Sequence, residues 1–380
     1  MYSRIQNFEG SDNESIFFWG ARQTGKSTLL KSKYGDSLYI DLLKTDVLQR
    51  FILNPSQLRE IIMAEKPEKP VIIDEIQKIP ELLNEVHWLI ENTNTQFILS
   101  GSSPRKILRS GANLLGGRAL KYKLFPLIYK EIPDFNLSKA LNSGLLPRHY
   151  DSKSAHKLIS AYIGSYLEDE IIAETKIRNV QIFSRFLEKA AFSNGEILNY
   201  SNIATDCGIS GPTVKEYFQI LKDTLVGDTI EVFRKKPKRR IISSPKFYFF
   251  DLGVANFLLK RKNILPGSVE FGHAFEHFIY QELVAHQHYS DLNYPISFWR
   301  TSSQFEVDFV LGEHEVAIEV KSTNNVMPKH LKGLLAFSEE YTVKKKIVIS
   351  TDPFPRLIGD ILILPWEMFL KRLWAGEIIQ

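Results

Sequence analysis

Eight residues near the amino terminus, Gly20-Ala21-Arg22-Gln23-Thr24-Gly25-Lys26-Ser27, have the spacing of a P-loop. The chemistry they predict is the capture of a nucleotide's phosphates. Backbone N–H groups of such a loop turn toward the phosphates, Lys26 reaches the β- and γ-phosphates as a point charge, and the Ser27 hydroxyl ligates the Mg²⁺ that bridges them. Thr28 opens a helix whose positive dipole end adds to the cradle. Further on, Asp74-Glu75 close the branched apolar run Val71-Ile72-Ile73. Asp74 is expected on the Mg²⁺, and Glu75 as the group that polarises the attacking water. Adjacent acids suit water activation better than transfer to a second substrate, so ATP hydrolysis is favoured over small-molecule phosphorylation. In Ser100-Gly101-Ser102-Ser103, either Ser100 or Ser102 could bond that water, while Ser102 or Ser103 before Pro104 serves equally as a helix cap. Gly116-Gly117-Arg118 offers an arginine finger supplied by a neighbouring copy of the chain, or a plain surface arginine beside a turn.

A second set of chemical residues lies near the carboxyl terminus. Phe305 to Val310 and Val316 to Lys321 alternate strictly, so Glu306 shares a face with Asp308, and Glu319 with Lys321. A hairpin about Gly312 would bring Asp308 and Glu319 together as hard oxygen ligands for Mg²⁺ or Mn²⁺. Lys321 beside them could orient or deprotonate a water. Glu276, with Glu282 as a further candidate, would add a carboxylate from an upstream helix, where His273 and His277 have no assigned role. Two strands of a half-buried sheet with polar outward faces would read the same way.

These residues need elements to carry them. The apolar run Ile16 to Trp19 feeds the P-loop, and Ser37 to Asp41, a helix about Leu58 to Glu65, Pro70 to Glu75 and Gln96 to Leu99 continue a βαβ rhythm. Ser154 to Arg185 reads as helices of a lid or connector, with Leu158, Tyr162, Tyr166 and Leu167 apolar and Glu168, Asp169 and Glu170 acidic. Tyr200 to Val214 has the grammar of helix, glycine turn and second helix, capped by Ser210 with Pro212 in its first turn. That second helix would bury Val214, Tyr217, Phe218 and Leu221 and turn Thr213, Lys215, Gln219 and Lys222 toward a groove. Six cations in seven residues, Arg234 to Arg240, fall where a wing hairpin between 229–233 and 241–242 would place its tip. Such a tip would contact DNA phosphates, although helix-turn-helix folds also dock proteins.

Composition narrows the setting. A length of 380 residues with 44% apolar content calls for more than one core. The single cysteine, Cys207, permits no internal disulfide and suits a reducing cytoplasmic setting. Met1 to Arg4 is not followed by an apolar run, and Phe247 to Leu259 is short and broken by Asp251, so neither a leader nor a membrane partner is expected. A net charge of +4 is too small to imply nucleic acid by itself.

Taken together, Asp74-Glu75-Ile76-Gln77-Lys78-Ile79-Pro80, Ser100 to Ser103, Gly117-Arg118 and Leu124-Phe125-Pro126-Leu127 resemble a prokaryotic family. It is the AAA-type P-loop ATPases with a carboxyl-terminal domain of uncharacterised function related to PD-(D/E)XK nucleases. The resemblance covers nearly the whole chain. It implies an α/β fold of four parts: an AAA+ core with a parallel sheet at 1–130, a helical lid or connector at 131–185, a winged helix at 186–245 and a nuclease-like α/β domain at 246–380. It also points Arg118 to the finger role. Val307 stands where the nuclease motif has proline, which leaves the candidate ligands Glu276, Asp308 and Glu319 intact. The expected cofactors are ATP and Mg²⁺. DNA is the expected partner, with a protein partner and further copies of the chain as other candidates. The alternative is a nucleotide-gated switch whose nuclease fold is silent.

Overall fold

The computed structural model describes residues 2–8, 11, 14–109, 115–164, 179–235 and 239–380. The expected lid residues Tyr166, Leu167, Glu168, Asp169 and Glu170, and Lys236, Pro237 and Lys238 of the basic run, lie outside them.

A five-stranded sheet forms the amino-terminal part: β1 (Ser15–Trp19), β2 (Tyr39–Asp41), β3 (Val71–Asp74), β4 (Phe97–Gly101) and β5 (Ala119–Lys123), in the order β2-β3-β4-β1-β5. Every ladder in it is parallel. Strands buried on both faces carry no polar alternation, and β1, Ser-Ile-Phe-Phe-Trp, is buried throughout. Phe17, Ile73 and Leu99 pack on one face with Leu82, Val86 and Leu89, while Ile16, Phe18, Ile72 and Ile98 pack on the other with Leu30. Parallel order makes the carboxyl ends coincide. Phe18 and Asp74 both pair with Ser100, so the P-loop, Asp74 and the Ser100–Gly101 end form one rim.

The middle of the chain supplies helices Val180–Phe192, Tyr200–Cys207 and Gly211–Asp223, packed through Phe183, Phe186, Ile203, Val214, Phe218 and Leu221. Ser210 caps the last of these by accepting the Thr213 N–H at 3.2 Å, and Pro212 lies in its first turn. Two strands follow, β6 (Gly227–Val232) and β7 (Lys246–Phe249).

Those strands do not close a separate module. They join β8 (Ile296–Arg300), β9 (Glu306–Leu311), β10 (Val316–Lys321), β11 (Lys345–Ser350), β12 (Arg356–Ile358) and β13 (Ile361–Pro365) in one sheet ordered β12-β13-β11-β10-β9-β8-β6-β7. The parallel pairing of β6 with β8 makes the join, so the sheet runs through the boundary expected at 245/246. The expected wing is also different. β6 pairs with β7 instead of with 241–242, and Ile241 bridges to Thr301, just past β8. Helix Val269–Tyr289 covers one face of that sheet through Phe275, Phe278 and Leu283, and helix Lys332–Ser338 the other through Leu334 and Phe337. Among the described residues no helix is long and apolar enough to cross a membrane.

Candidate functional site

The P-loop has the shape that phosphate capture requires. Gly25 sits at φ 99°, a left-handed conformation that a side chain resists. Gly20 is needed for space instead, since a Cβ there would lie 2.5 Å from the Leu124 carbonyl oxygen. Lys26 is buried and its ammonium donates to the Gly20 and Ala21 carbonyls at 2.6 and 3.3 Å. Thr24 steadies the loop by donating to the Ala21 carbonyl at 2.8 Å, Arg22 and Gln23 form its outer turn, and Thr28 is exposed at its end. Arg4 clamps it from outside, reaching the Thr24 carbonyl at 2.5 Å while paired with Glu131 at 2.9 Å.

Ser27 and Asp74 meet across the rim, the hydroxyl donating to Asp74 Oδ2 at 2.7 Å. A hydroxyl and a carboxylate, both hard oxygen donors, suit Mg²⁺. Tyr39, which sequence reasoning missed, donates to the same oxygen at 2.5 Å, and burial, followed by that hydrogen bond and the charge of Asp74, pushes its phenol well above the ordinary range. Glu75 adopts φ 60°, uncommon outside glycine, and is buried. The Gln77 amide donates to its carboxylate at 2.5 Å and to Ser102 Oγ at 3.0 Å, and the Ser102 hydroxyl lies 3.4 Å from Glu75. Gln77 thus ties the Glu75 carboxylate to Ser102. Ser100 Oγ is buried with no bonding partner, an orphan at the same rim.

Arg118 stands apart. It precedes β5, whose first residue Ala119 pairs with Ser15, whereas the P-loop follows the other end of β1. A five-residue strand spans about 17 Å, and Arg118 is paired with Glu91 at its own end. It cannot serve its own P-loop.

The rim connects to the helix-turn-helix through a contact not anticipated from sequence. Arg105, 2% exposed, pairs with Asp223 at the end of helix Gly211–Asp223, and the Ser103 hydroxyl donates to the Asp223 carbonyl at 3.2 Å. Lys222 and Gln219, expected in a groove, instead bond Thr229 and Asp223 at 2.8 and 2.6 Å. With Gly20, Ala21 and Gln281 they line a cavity of about 500 Å³ between the P-loop and the carboxyl-terminal sheet. The outward face is left to Thr213 and Lys215, with the Lys215 ammonium 5.3 Å from the Tyr200 ring. The basic run is likewise engaged: Lys235 pairs with Glu313 at 2.7 Å, and Arg239 with Glu339 and Glu340.

At the carboxyl-terminal cluster, the β9–β10 ladder ends on Phe309 and Ile318, so Asp308 and Glu319 are the next residues on each strand. Asp308 accepts the Val320 N–H at 2.7 Å. Lys321 lies 2.5 Å from Glu319 and 3.9 Å from Asp308. Lys246 of β7, unsuspected from sequence, reaches Glu306 at 2.6 Å and Glu276 at 3.2 Å, and the Tyr248 hydroxyl donates to Glu276 at 2.7 Å. Burial, with the charge of Asp308 adding to it, pushes Glu276 up to about 7 and Glu319 well above the carboxylate range. Burial works against the Lys321 ammonium, but Asp308 and Glu319 outweigh it and hold it charged above its usual range.

Glu276, Asp308 and Glu319 do converge, yet two ammonium groups stand among them, and among the described residues no group of three or more His, Cys, Asp or Glu side chains is disposed to hold a metal ion. Glu282 belongs elsewhere: it is buried against Tyr129 and Trp374. His277 bonds the Phe249 carbonyl at 2.7 Å, with burial lowering it to about 4, and His273 lies 3.7 Å from Glu196.

Residues 12–133 match the family described as an AAA domain. The amino-terminal third is thus a P-loop domain of the AAA type. Residues 134–264 and 271–369 match two domains of unknown function, DUF8612 and DUF4143. The chain is 23% identical over 322 residues to an uncharacterised protein of Mycobacterium tuberculosis, covering 81% of this chain and 70% of that one. An uncharacterised protein of Haemophilus influenzae is 21% identical over 369 residues, covering 87% of each, and one of Methanocaldococcus jannaschii is 23% identical over 341, covering 81% and 74%. Among solved structures, the Aeropyrum pernix Orc1 protein in complex with DNA covers 65% of this chain and 86% of its own at 11% identity and a TM-score of 0.24, a likeness too loose to carry an argument.

Proposed function

We propose that this chain is a Mg²⁺-dependent ATPase whose nucleotide state positions a winged helix-turn-helix on DNA. In this reading 1–130 is the ATPase core, 131–185 the connector, 186–245 the winged-helix module, and 246–380 a nuclease-like domain with which that module shares its sheet. Mg²⁺, held by Ser27 and Asp74, would offset phosphate charge. Lys26 leaves the loop carbonyls for the phosphates, and Glu75, fixed by Gln77 and Ser102, takes the proton of the attacking water. Thr213 and Lys215, near the start of the second helix, are the groups left to face DNA.

The observation that carries the coupling is the short path from Glu75 through Gln77 and Ser102 to Ser103 and Arg105, and so to Asp223 at the end of that helix. A change in the rim on hydrolysis must move or strain this contact. The test measures ATP turnover of wild type, Glu75→Gln and Arg105→Ala, each with and without duplex DNA. Wild type should be stimulated by DNA, Glu75→Gln should lose roughly 10²–10⁴-fold with either, and Arg105→Ala should keep basal turnover while losing the stimulation. Equal stimulation in Arg105→Ala would remove the coupling claim.

A second reading, a nucleotide-gated switch that binds protein partners through a silent nuclease fold, is favoured by the lysines that stand among its carboxylates and by the ion pairs that engage Lys235 and Arg239. Divalent-dependent nicking of plasmid DNA, lost in Asp308→Ala, would rule it out.

A further inference from the structure

The resemblance implies a divalent cation at Glu276, Asp308 and Glu319, and the residues present do not fit one. Four carboxylates gather there, Glu276, Glu306, Asp308 and Glu319, and three cations of this chain are set among them. Lys246 lies 3.2 Å from Glu276 and 2.6 Å from Glu306, Arg300 lies 3.1 Å from Glu306, and Lys321 lies 2.5 Å from Glu319. Lys246 differs from the others in origin and burial. It comes from the edge strand β7 and is 2% exposed, its ammonium 5.5 Å from the centre of the Phe298 ring. Burying an ammonium so completely is costly unless opposite charge compensates it, and two carboxylates do so here.

We infer that Lys246 is a tethered counterion that takes the place of the divalent cation and keeps this cluster from binding one. An ammonium within contact distance of Glu276 and Glu306 already supplies the attraction a metal would offer, and it is held at an effective concentration no dissolved ion can match. A divalent ion entering beside it would meet like charge at close range in a buried site. The lysine is also joined to the helix-turn-helix. Its neighbour Phe247 packs on Phe218 of helix Gly211–Asp223, ring centroids 4.9 Å apart, and Lys246 itself bridges to Ile197 just before helix Tyr200–Cys207. The plug therefore sits on a strand packed against the helices proposed to face DNA. The inference stands whether or not the P-loop hydrolyses ATP.

The experiment is a calorimetric titration of the full chain with Mn²⁺, without nucleotide, for wild type, Asp308→Ala, Lys246→Met and the double variant Lys246→Met/Asp308→Ala. Wild type and Asp308→Ala should give the same isotherm, and Lys246→Met should gain one Mn²⁺ per chain that the double variant loses. Lys246→Gln, which keeps a polar group among the carboxylates, repeats the test if the methionine variant fails to fold by circular dichroism. Wild-type Mn²⁺ uptake that disappears in Asp308→Ala overturns the proposal, and so does a folded Lys246 variant that gains no site. The wild-type comparison decides by itself if neither variant folds.

Discussion

Glu282 offers a quantitative test of how the carboxyl-terminal sheet joins the AAA-type part. Its carboxylate is wholly buried and accepts the Tyr129 N–H at 2.6 Å and the Trp374 indole N–H at 2.8 Å, bridging the turn that leaves the amino-terminal sheet and the last helix, Trp366–Trp374. Burial pushes its acid up from 4.5 to about 8, with the charge of Glu131 adding to the effect and the two hydrogen bonds opposing it. Between those values the folded chain holds a proton that the unfolded chain has released. Stability from this group is therefore complete below the unfolded value and is lost as pH rises through about 8. At about 1.4 kcal/mol per pH unit, the full span comes to about 5 kcal/mol as an upper figure. For a chain of 380 residues, with an unfolding entropy of about 2.1 cal/mol/K per residue, this corresponds to roughly 2 °C in Tm per pH unit. Glu282→Gln is neutral at every pH and keeps the shape, while its NH₂ must face one of the two N–H donors at a cost of about 1–3 kcal/mol. Scanning calorimetry from pH 5 to pH 8 should show the wild-type Tm falling relative to the variant, which starts lower. Parallel curves would show that Glu282 is ionised in the fold and would refute this reasoning.

Arg118 lies at the opposite end of the sheet from its own P-loop; as a finger supplied to a neighbouring copy it would be needed for turnover and not for binding, so on that role Arg118→Ala should cut ATP turnover roughly 10³-fold while leaving nucleotide binding, read by a fluorescent analogue, unchanged. Mixing Arg118→Ala chains with Glu75→Gln chains should restore part of the turnover, because one partner's intact P-loop then meets the other's arginine; absence of recovery would end the role between subunits. Lys235 and Arg239 are held by acids, so Glu313→Gln with Glu339→Gln and Glu340→Gln should release both cations, tighten DNA binding at low salt and steepen the log–log salt slope by up to about 1.8. An unchanged slope in an anisotropy titration would mean that the loop does not reach DNA.

Much of the amino-terminal site was legible in the chain itself. A P-loop is a local device, in which the glycines, Lys26 and Ser27 are consecutive and their geometry follows from backbone allowances and a strand–helix junction. Asp74 was legible because a parallel sheet puts every strand's carboxyl end at one rim, and the Ser27–Asp74 contact follows from that topology. The cap at Ser210 and the apolar face of Val214, Phe218 and Leu221 were likewise local patterns. Residues whose role depends on distant chain had no such signature. Gln77, Tyr39 and Arg105 carry no spacing signal, and each acquires its place from a partner brought near only by packing. The same holds for the basic run: six cations in sequence suggested a free tip, but Lys235 pairs with Glu313 and Arg239 with Glu339 and Glu340. Sequence alone determined that a phosphate cradle exists and that Asp308, Glu319 and Lys321 share a hairpin. Only the tertiary structure decided what surrounds them, since Lys246, far from that hairpin in the chain, enters by strand pairing and changes the charge of the cluster.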